Sequence, residues 1–302
     1  MFKRFSFSYG LPVFLFSLLT TGFLMPLDSH SKMISNQFDN PGLRRVGSSV
    51  RLLSAFFGLD NTLPFRVNIL CLGGAGLDGM PVVFSRTIDT DSLQEEDFRI
   101  LTRSGAEHKP RCVTYRPADD AGELRTILLI GEFGDANDDP PVSVRVVGDL
   151  FSDGKLSAEN IGVNFRGSNI EVTPLDAGPS IVLAENIPVN NLSRDTRGTL
   201  CPEDSAQVIR VTWDGGVRLL NREEPGDAER QLYQVTVRGD EGSSYQVNPE
   251  VLADLEDGDN NHLLCLMTED AVISVSFPGG HLADPNLDLN PDTFIKVNPG
   301  FD

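Results

Sequence analysis

The chain has 302 residues, of which 40% are hydrophobic and 23% charged, enough for one large domain or two of ordinary size with buried cores. Its formal net charge of −19 is uneven: residues 1–60 hold six Lys/Arg and three Asp/Glu, or +3, so the rest carries 19 basic and 41 acidic groups, or −22. Such a body repels nucleic acid and anionic lipid, and no basic patch interleaved with aromatics offsets that, so a nucleic-acid partner is excluded.

The first element in chain order is a secretory signal over residues 1–31. MFKR is a short basic n-region, and Leu11–Met25 is an apolar h-region of 15 residues, short of the roughly 20 that span a bilayer. Ser29 and Ser31 supply the small residues for cleavage after Ser31; left uncleaved, the same segment would be an anchor. The body is therefore expected outside the cytoplasm, secreted or periplasmic.

Residues 32–60 form a leader. Leu43, Val46, Val50, Leu53 and Phe57 recur at 3-4-3-4 spacing, with Arg44, Arg45 and Arg51 on other faces. This predicts an amphipathic helix over 43–59, either docked on the body or lying on a membrane surface. Gly47 and the neighbouring serines weaken the helix and favour docking.

Beyond residue 61 the pattern is of strands. Phe65, Val67, Ile69 and Cys71 alternate with polar residues in FRVNILCL, the period of a half-buried strand. MPVVFSR, DFRILT, RCVTYRP, LRTILLIGEF and VSVRVVGDL follow, separated by turn-rich DTDSLQEE and DANDDPP. A break at SDGKLSAEN divides residues 61–158 from 159–302, and the second part repeats the style with SIVLAE, AQVIRVTW, LYQVTVR, HLLCLMT, AVISVSF and TFIKV. Many short strands with no helices between them predict an all-β chain of two Ig-like β-sandwich domains.

Gly74, Gly76 and Gly79 have the G-x-G-x-x-G spacing of a dinucleotide site. That fingerprint needs its last glycine to open a helix whose N-terminal amides hold the pyrophosphate. Here MPVVFSR continues as a strand, so no dinucleotide is expected and the glycines belong to a turn.

The stretches VVFSRTIDTDSLQEEDFRILTRSG and VSVRVVGDLFSDG resemble the Ig-like domain of bacterial surface-layer and other cell-envelope proteins, over about residues 64–155. The resemblance implies a spacer or binding module with no shared catalytic residues. Four cysteines in an exported chain allow three pairings; partition by domain favours Cys71–Cys112 and Cys201–Cys265. Trp213, 12 residues after Cys201 and 52 before Cys265, resembles the Cys…Trp…Cys order of an immunoglobulin domain, which implies an indole packed on an intersheet disulfide. Leu263 in place of the corner tyrosine, and Pro202 after Cys201, depart from that family.

Catalytic signatures are missing: there is no G-x-S-x-G elbow and no H-E-x-x-H. His262 and His281 flank an expected hairpin and could meet, though isolated histidines are more often simply hydrogen-bonded. Pairs such as Asp119/Asp120 and Asp138/Asp139 are too plentiful to nominate for acid–base work without a geometry. The strongest ligand pattern is oxygen-rich: Asp257, Asp259 and Asn260 in EDGDNN, and Asp284, Asn286, Asp288 and Asn290 in DPNLDLNPD. Asp and Asn alternating at i, i+2, i+4 suit Ca²⁺, which takes six to eight oxygens, but Asp and Asn also dominate ordinary turns. Asn191 opens an N-x-S sequon that matters only in a eukaryotic host. The expected role is binding or scaffolding at the cell envelope, with a protein or carbohydrate partner and calcium as the one candidate cofactor. The alternative is a carbohydrate hydrolase that uses loop carboxylates.

Overall fold

In each half of the body, two four-stranded sheets bury their alternating apolar residues against each other. The computed structural model describes residues 50–120, 122–154, 162–192, 197–239 and 242–298; the signal segment and most of the leader lie outside them. The first half contains β1 (Leu52–Ala55), β2 (Asp78–Phe84), β3 (Phe98–Thr102), β4 (Glu107–His108), β5 (Cys112–Thr114), β6 (Thr126–Gly131), β7 (Pro141–Val146) and β8 (Asn169–Glu171). These form antiparallel sheets of order β1-β2-β6-β5 and β4-β3-β7-β8. Met80, Val82, Phe84, Ile127 and Leu129 of one sheet meet Phe98, Ile100, Val144 and Val146 of the other in one core. Phe84 is edge-on to Phe98 and Phe165.

The second half contains β9 (Ile181–Ile187), β10 (Gln207–Trp213), β11 (Gln234–Arg238), β12 (Ser244–Val247), β13 (Val251–Ala253), β14 (Asn261–Leu266), β15 (Ala271–Phe277) and β16 (Thr293–Lys296), with one helical turn, α1 (Asp227–Arg230). Its sheets run β13-β14-β10-β9 and β12-β11-β15-β16. Ile209, Val211, Trp213, Leu264 and Leu266 face Val235, Val237, Val275 and Phe277 across the core. The chain is all-β, built of two sandwiches.

Two expected elements are corrected. Within the predicted helix over 43–59, Leu52–Ala55 is strand β1, paired antiparallel to β2 through Leu52↔Phe84 and Ala55↔Val82. Leu52, Ala55, Phe56 and Phe57 are buried, so a nearly continuous apolar run is consumed by a sheet edge, and helical spacing among only some of those residues is overridden by packing. Residues 43–49 lie outside the described chain. FRVNILCL, read as a strand, is a 3-10 turn over Phe65–Ile69. Its backbone is satisfied locally, by Val67 N–H to Pro64 O (3.0 Å) and Cys71 N–H to Val67 O (2.8 Å). The glycine fingerprint runs from Gly76, at φ +76°, into strand β2 with Gly79 paired to Ile130; no helix opens there.

The outer face of one sheet in each sandwich is also covered. In β6, Ile127 and Leu129 point into the core, while Leu128 and Ile130 point outward under Leu63, Val67 and Cys71 of the 59–77 loop. In β10 and β14, Val208, Leu263 and Cys265 point outward under Val189, Leu192 and Cys201. A disulfide pins each cover: Cys71–Cys112 with Cα atoms 6.1 Å apart, and Cys201–Cys265 at 5.6 Å. The second bond therefore lies outside the sandwich core and Trp213 inside it, on the opposite face of β10. The immunoglobulin arrangement of an indole on an intersheet disulfide does not hold, because Cys265 and Leu263 share the outward register of β14 while Leu264 and Leu266 take the inward one.

Candidate functional site

Residues 117–120 and 122–125, which precede β6, reach the outer face of β10 and β14. Two hydrogen bonds join the halves here: Asn260 Nδ2, which also donates to Trp213 O of its own half (2.5 Å), donates to Thr126 Oγ1 (3.3 Å), and Asn286 Nδ2 donates to Gly58 O (2.7 Å). Ionic contacts cross the same junction. Arg125 Nη2 lies 3.1 Å from Glu185 Oε2, and both side chains are nearly excluded from solvent. Arg210 Nη1 donates to Gly122 O (2.6 Å), and its Nη2 lies 3.9 Å from Glu123 Oε1. Asp120 accepts from the Arg197 backbone N–H (2.7 Å) and Nε (3.1 Å).

Around these guanidinium groups lie Asp120, Glu123, Asp254, Asp257 and Asp259. Burial raises the carboxyls of Glu123, Asp254, Asp257 and Asp259 above their ordinary values, and their mutual repulsion adds to it. Glu123 is affected most, with Asp259 and Asp254 beside it and only Arg210 opposing, and it is held protonated at neutral pH. Among the described residues, Asp120, Asp254 and Asp257 bring one carboxylate oxygen each to within 4.8 Å of one another.

The residues singled out in the sequence separate into two places. Asp257 and Asp259 join the junction cluster. Asn260 instead spends its amide on Trp213 O and on the crossing bond to Thr126. The 284–290 set forms a different loop, whose side chains close turns: Asp284 Oδ1 accepts from the Asn286 and Asp288 amides (both 2.9 Å), and Asn290 bridges four backbone groups of residues 278–291. Asp288 sits half-buried on that loop; Asp259, Asn260, Asp284 and Asn286 border the cleft between the sandwiches, with their side chains engaged in separate turn and junction hydrogen bonds. Asp135 likewise accepts from the amides of Asn137 and Asp138. Asn191 is exposed on the 3-10 turn Val189–Asn191, while Ser193 of the sequon is outside the described residues. His262 is buried with Nδ1 2.7 Å from Tyr233 Oη, and burial pushes it down to about 3, so it is neutral. His281 packs against Phe277 on the other side of that aromatic group. Asp120 and Asp254, which complete the cluster, carry no sequence signal beyond lying in acidic stretches 134 positions apart.

A second feature lies on the same side. Phe65, Ile69 and Leu72, spaced i, i+4, i+7, are 83%, 85% and 84% exposed. Their loop is rigid: Cys71 is bonded to Cys112, Asn68 Oδ1 accepts from the Gly73 and Ala75 amides (3.0 and 3.2 Å), and Arg111 Nε donates to Leu72 O (2.8 Å). The loop borders a cleft of about 840 Å³ between the sandwiches, lined by Phe56, Leu59, Leu63, Leu128, Leu219 and Leu287 among others. An adjoining groove of about 690 Å³ carries Arg66, Arg116, Arg197 and Arg218 beside Ile69 and Leu70. Glu224, Glu256 and Asp257 line it too, and Arg116, Arg197 and Arg218 are paired with Asp119, Asp120 and Glu224.

No family model and no curated protein matches the chain. Three solved structures of the bacterial S-layer protein SbsC are weakly similar, each covering 83% of this chain. The N-terminal part shows 13% identity and a TM-score of 0.28 over 44% of that chain. Domains 1–6 show 14% and 0.27 over 26%, and a third structure of the same protein shows 12% and 0.27 over 41%. The chain thus spans less than half the length of each.

Proposed function

We propose that the protein is an extracytoplasmic, non-catalytic binding protein that holds a segment of a partner protein in the cleft between its sandwiches. The observation that carries this reading is the rigid, disulfide-pinned loop that holds Phe65, Ile69 and Leu72 exposed to solvent while its Leu63, Pro64 and Arg66 line the neighbouring cleft. Large side chains exposed together on an ordered loop cost solubility unless they meet a partner, and preorganisation lowers the entropic cost of binding. The aliphatic lining, with the sole Trp buried in the core, suits a protein segment better than a sugar. Paired cysteines support an oxidising compartment. The hydrolase alternative draws no support from the carboxyls that do converge, because Glu123 and Asp254 are 1% and 2% exposed, out of reach of a glycosidic bond.

A Phe65→Ser/Ile69→Ser variant is expected to bind the isolated cell-envelope fraction at least about tenfold more weakly than wild type, as loss of two anchor residues implies. Its melting temperature should not change, since both side chains are outside the core. Undiminished binding in co-sedimentation would remove this face from consideration.

A further inference from the structure

Two turns of the second sandwich share one hydrogen-bond pattern. Leu219 N–H donates to Glu223 O (2.9 Å) and Arg222 N–H to Leu219 O (2.7 Å); Asp284 N–H donates to Asp288 O (3.2 Å) and Leu287 N–H to Asp284 O (3.1 Å). Each turn puts its fourth residue in the left-handed region, Arg222 at φ +70° and Leu287 at φ +74°. Glycine is the usual residue there, because a Cβ in that conformation crowds the backbone. The chain follows that rule elsewhere. Thr102 and Ala106, and Gly239 and Ser243, close the same pattern, with Gly105 at φ +89° and Gly242 at φ +79° in the fourth place.

The two exceptions share a location: Arg222 and Leu287 both line the cleft between the sandwiches. Among the described left-handed residues other than glycine, asparagine and aspartate, the one remaining, Glu256, lines the adjoining groove. Neither cleft side chain offsets its backbone cost within the fold. Leu287 is 43% exposed and belongs to neither core. The Arg222 guanidinium is exposed, with no hydrogen bond or ion pair among the described residues. Side chains held at such a cost concentrate at binding sites. Charge points the same way. Arg66, on the first sandwich's wall, is likewise exposed and unpaired among the described residues, whereas Arg116 and Arg218 pair with Asp119 and Glu224. The carboxylates on the walls, Asp259 and Asp284, are buried and accept from the amides of Asn261 and Asn286. The unpaired charge that the cleft offers a ligand is therefore positive.

We propose that Leu287 and Arg222 form the second wall of the binding site and select a partner segment in which an apolar residue lies near an acidic one. Leu287 meets the apolar side chain, and the Arg222 guanidinium takes the carboxylate. This rests on the reading of the cleft given above, and extends to the second sandwich a site carried so far by the first.

Random dodecapeptides displayed on phage and selected on the whole protein provide the probe. The selected peptides are expected to combine an aliphatic or aromatic residue with Asp or Glu. Leu287→Gly and Arg222→Gly should each bind a selected peptide at least about tenfold more weakly. Their melting temperatures should be unchanged or raised, because glycine relieves the backbone. Arg222→Glu should select basic residues in place of acidic ones. Wild-type affinity in both glycine variants, with binding lost in Phe65→Ser/Ile69→Ser, overturns this inference and leaves the binding face in place. A fall of more than about 2 °C in the melting temperature of the glycine variants also overturns it, since the side chains would then serve the fold. Self-association in sedimentation that Leu287→Gly disperses would give the cleft to a second copy and overturn the acidic partner. Failure to select any peptide, or peptides that Phe65→Ser/Ile69→Ser binds as wild type does, removes the reading of the cleft and this inference with it.

Discussion

Replacing Arg210 by Met is expected to destabilise the protein by about 3–5 kcal/mol, the range for removing one partner of a buried ion pair. Arg210 projects from the outer face of β10, is 6% exposed, and its guanidinium is the charge that opposes the buried Asp254 carboxylate. Methionine fills similar volume, so the loss is electrostatic rather than a cavity. It strips Gly122 O of its 2.6 Å donor and leaves Asp254 without its compensating charge, a penalty larger than the net worth of the pair itself. At roughly 2–4 °C per kcal/mol for a body of this size, the melting temperature should fall by about 10 °C. Adding Asp254→Asn to Arg210→Met should recover more than about 1 kcal/mol in a double-mutant cycle, since residues within one network couple. A fall of less than about 2 °C, with no coupling, would mean that water reaches the network and screens it.

This junction is also where sequence reading runs out, and the reason is physical. Strands with a full alternating or continuous apolar run, such as β2, β6, β10 and β15, are legible because burial on a pleated sheet imposes a period of two. Strands of two to four residues, β4, β8, β12 and β13, are too short to show any period. The run in β6 is apolar throughout because the sheet is covered on both faces, but nothing in its letters says which loop covers it. The covering loop itself misleads: Phe65, Val67, Ile69 and Cys71 alternate as a strand does, yet only Val67 and Cys71 turn inward and Phe65 and Ile69 face solvent. Cysteine positions likewise do not disclose that both bonds lie on outer sheet faces. The acidic cluster was half visible, through Asp257 and Asp259. Of its other members, Asp254 lies in the same acidic stretch, while Asp120 and Glu123 arrive from the first sandwich by a contact that only the tertiary structure makes. DPNLDLNPD, with the more regular spacing, is a set of turns, because alternating Asp and Asn serve their own neighbouring amides as readily as they serve an ion.

Burial of single carboxyls away from the cluster gives a second large effect, dependent on pH. Asp214 follows Trp213 at the end of β10, is 4% exposed, and accepts from the Ser180 amide at 2.8 Å. Burial pushes it up from 3.8 to about 7, against that hydrogen bond, with Asp284 adding repulsion. The folded protein therefore keeps this proton up to about pH 7, while the unfolded chain releases it near 3.8. Between those values the native state binds more protons, so stability falls as pH rises through the window. About three units correspond to about 4 kcal/mol. Asparagine retains an acceptor for the Ser180 amide and cannot ionise. Asp214→Asn should thus match wild type near pH 4 and exceed it progressively, by up to about 4 kcal/mol near pH 8, in urea unfolding at a series of pH values. Asp78, buried and raised to about 6, acts in the same direction in both proteins and cancels from the difference. A gap between variant and wild type that stays constant from pH 4 to pH 8 would show that Asp214 ionises in the fold as it does in water, and that the end of β10 is open to solvent.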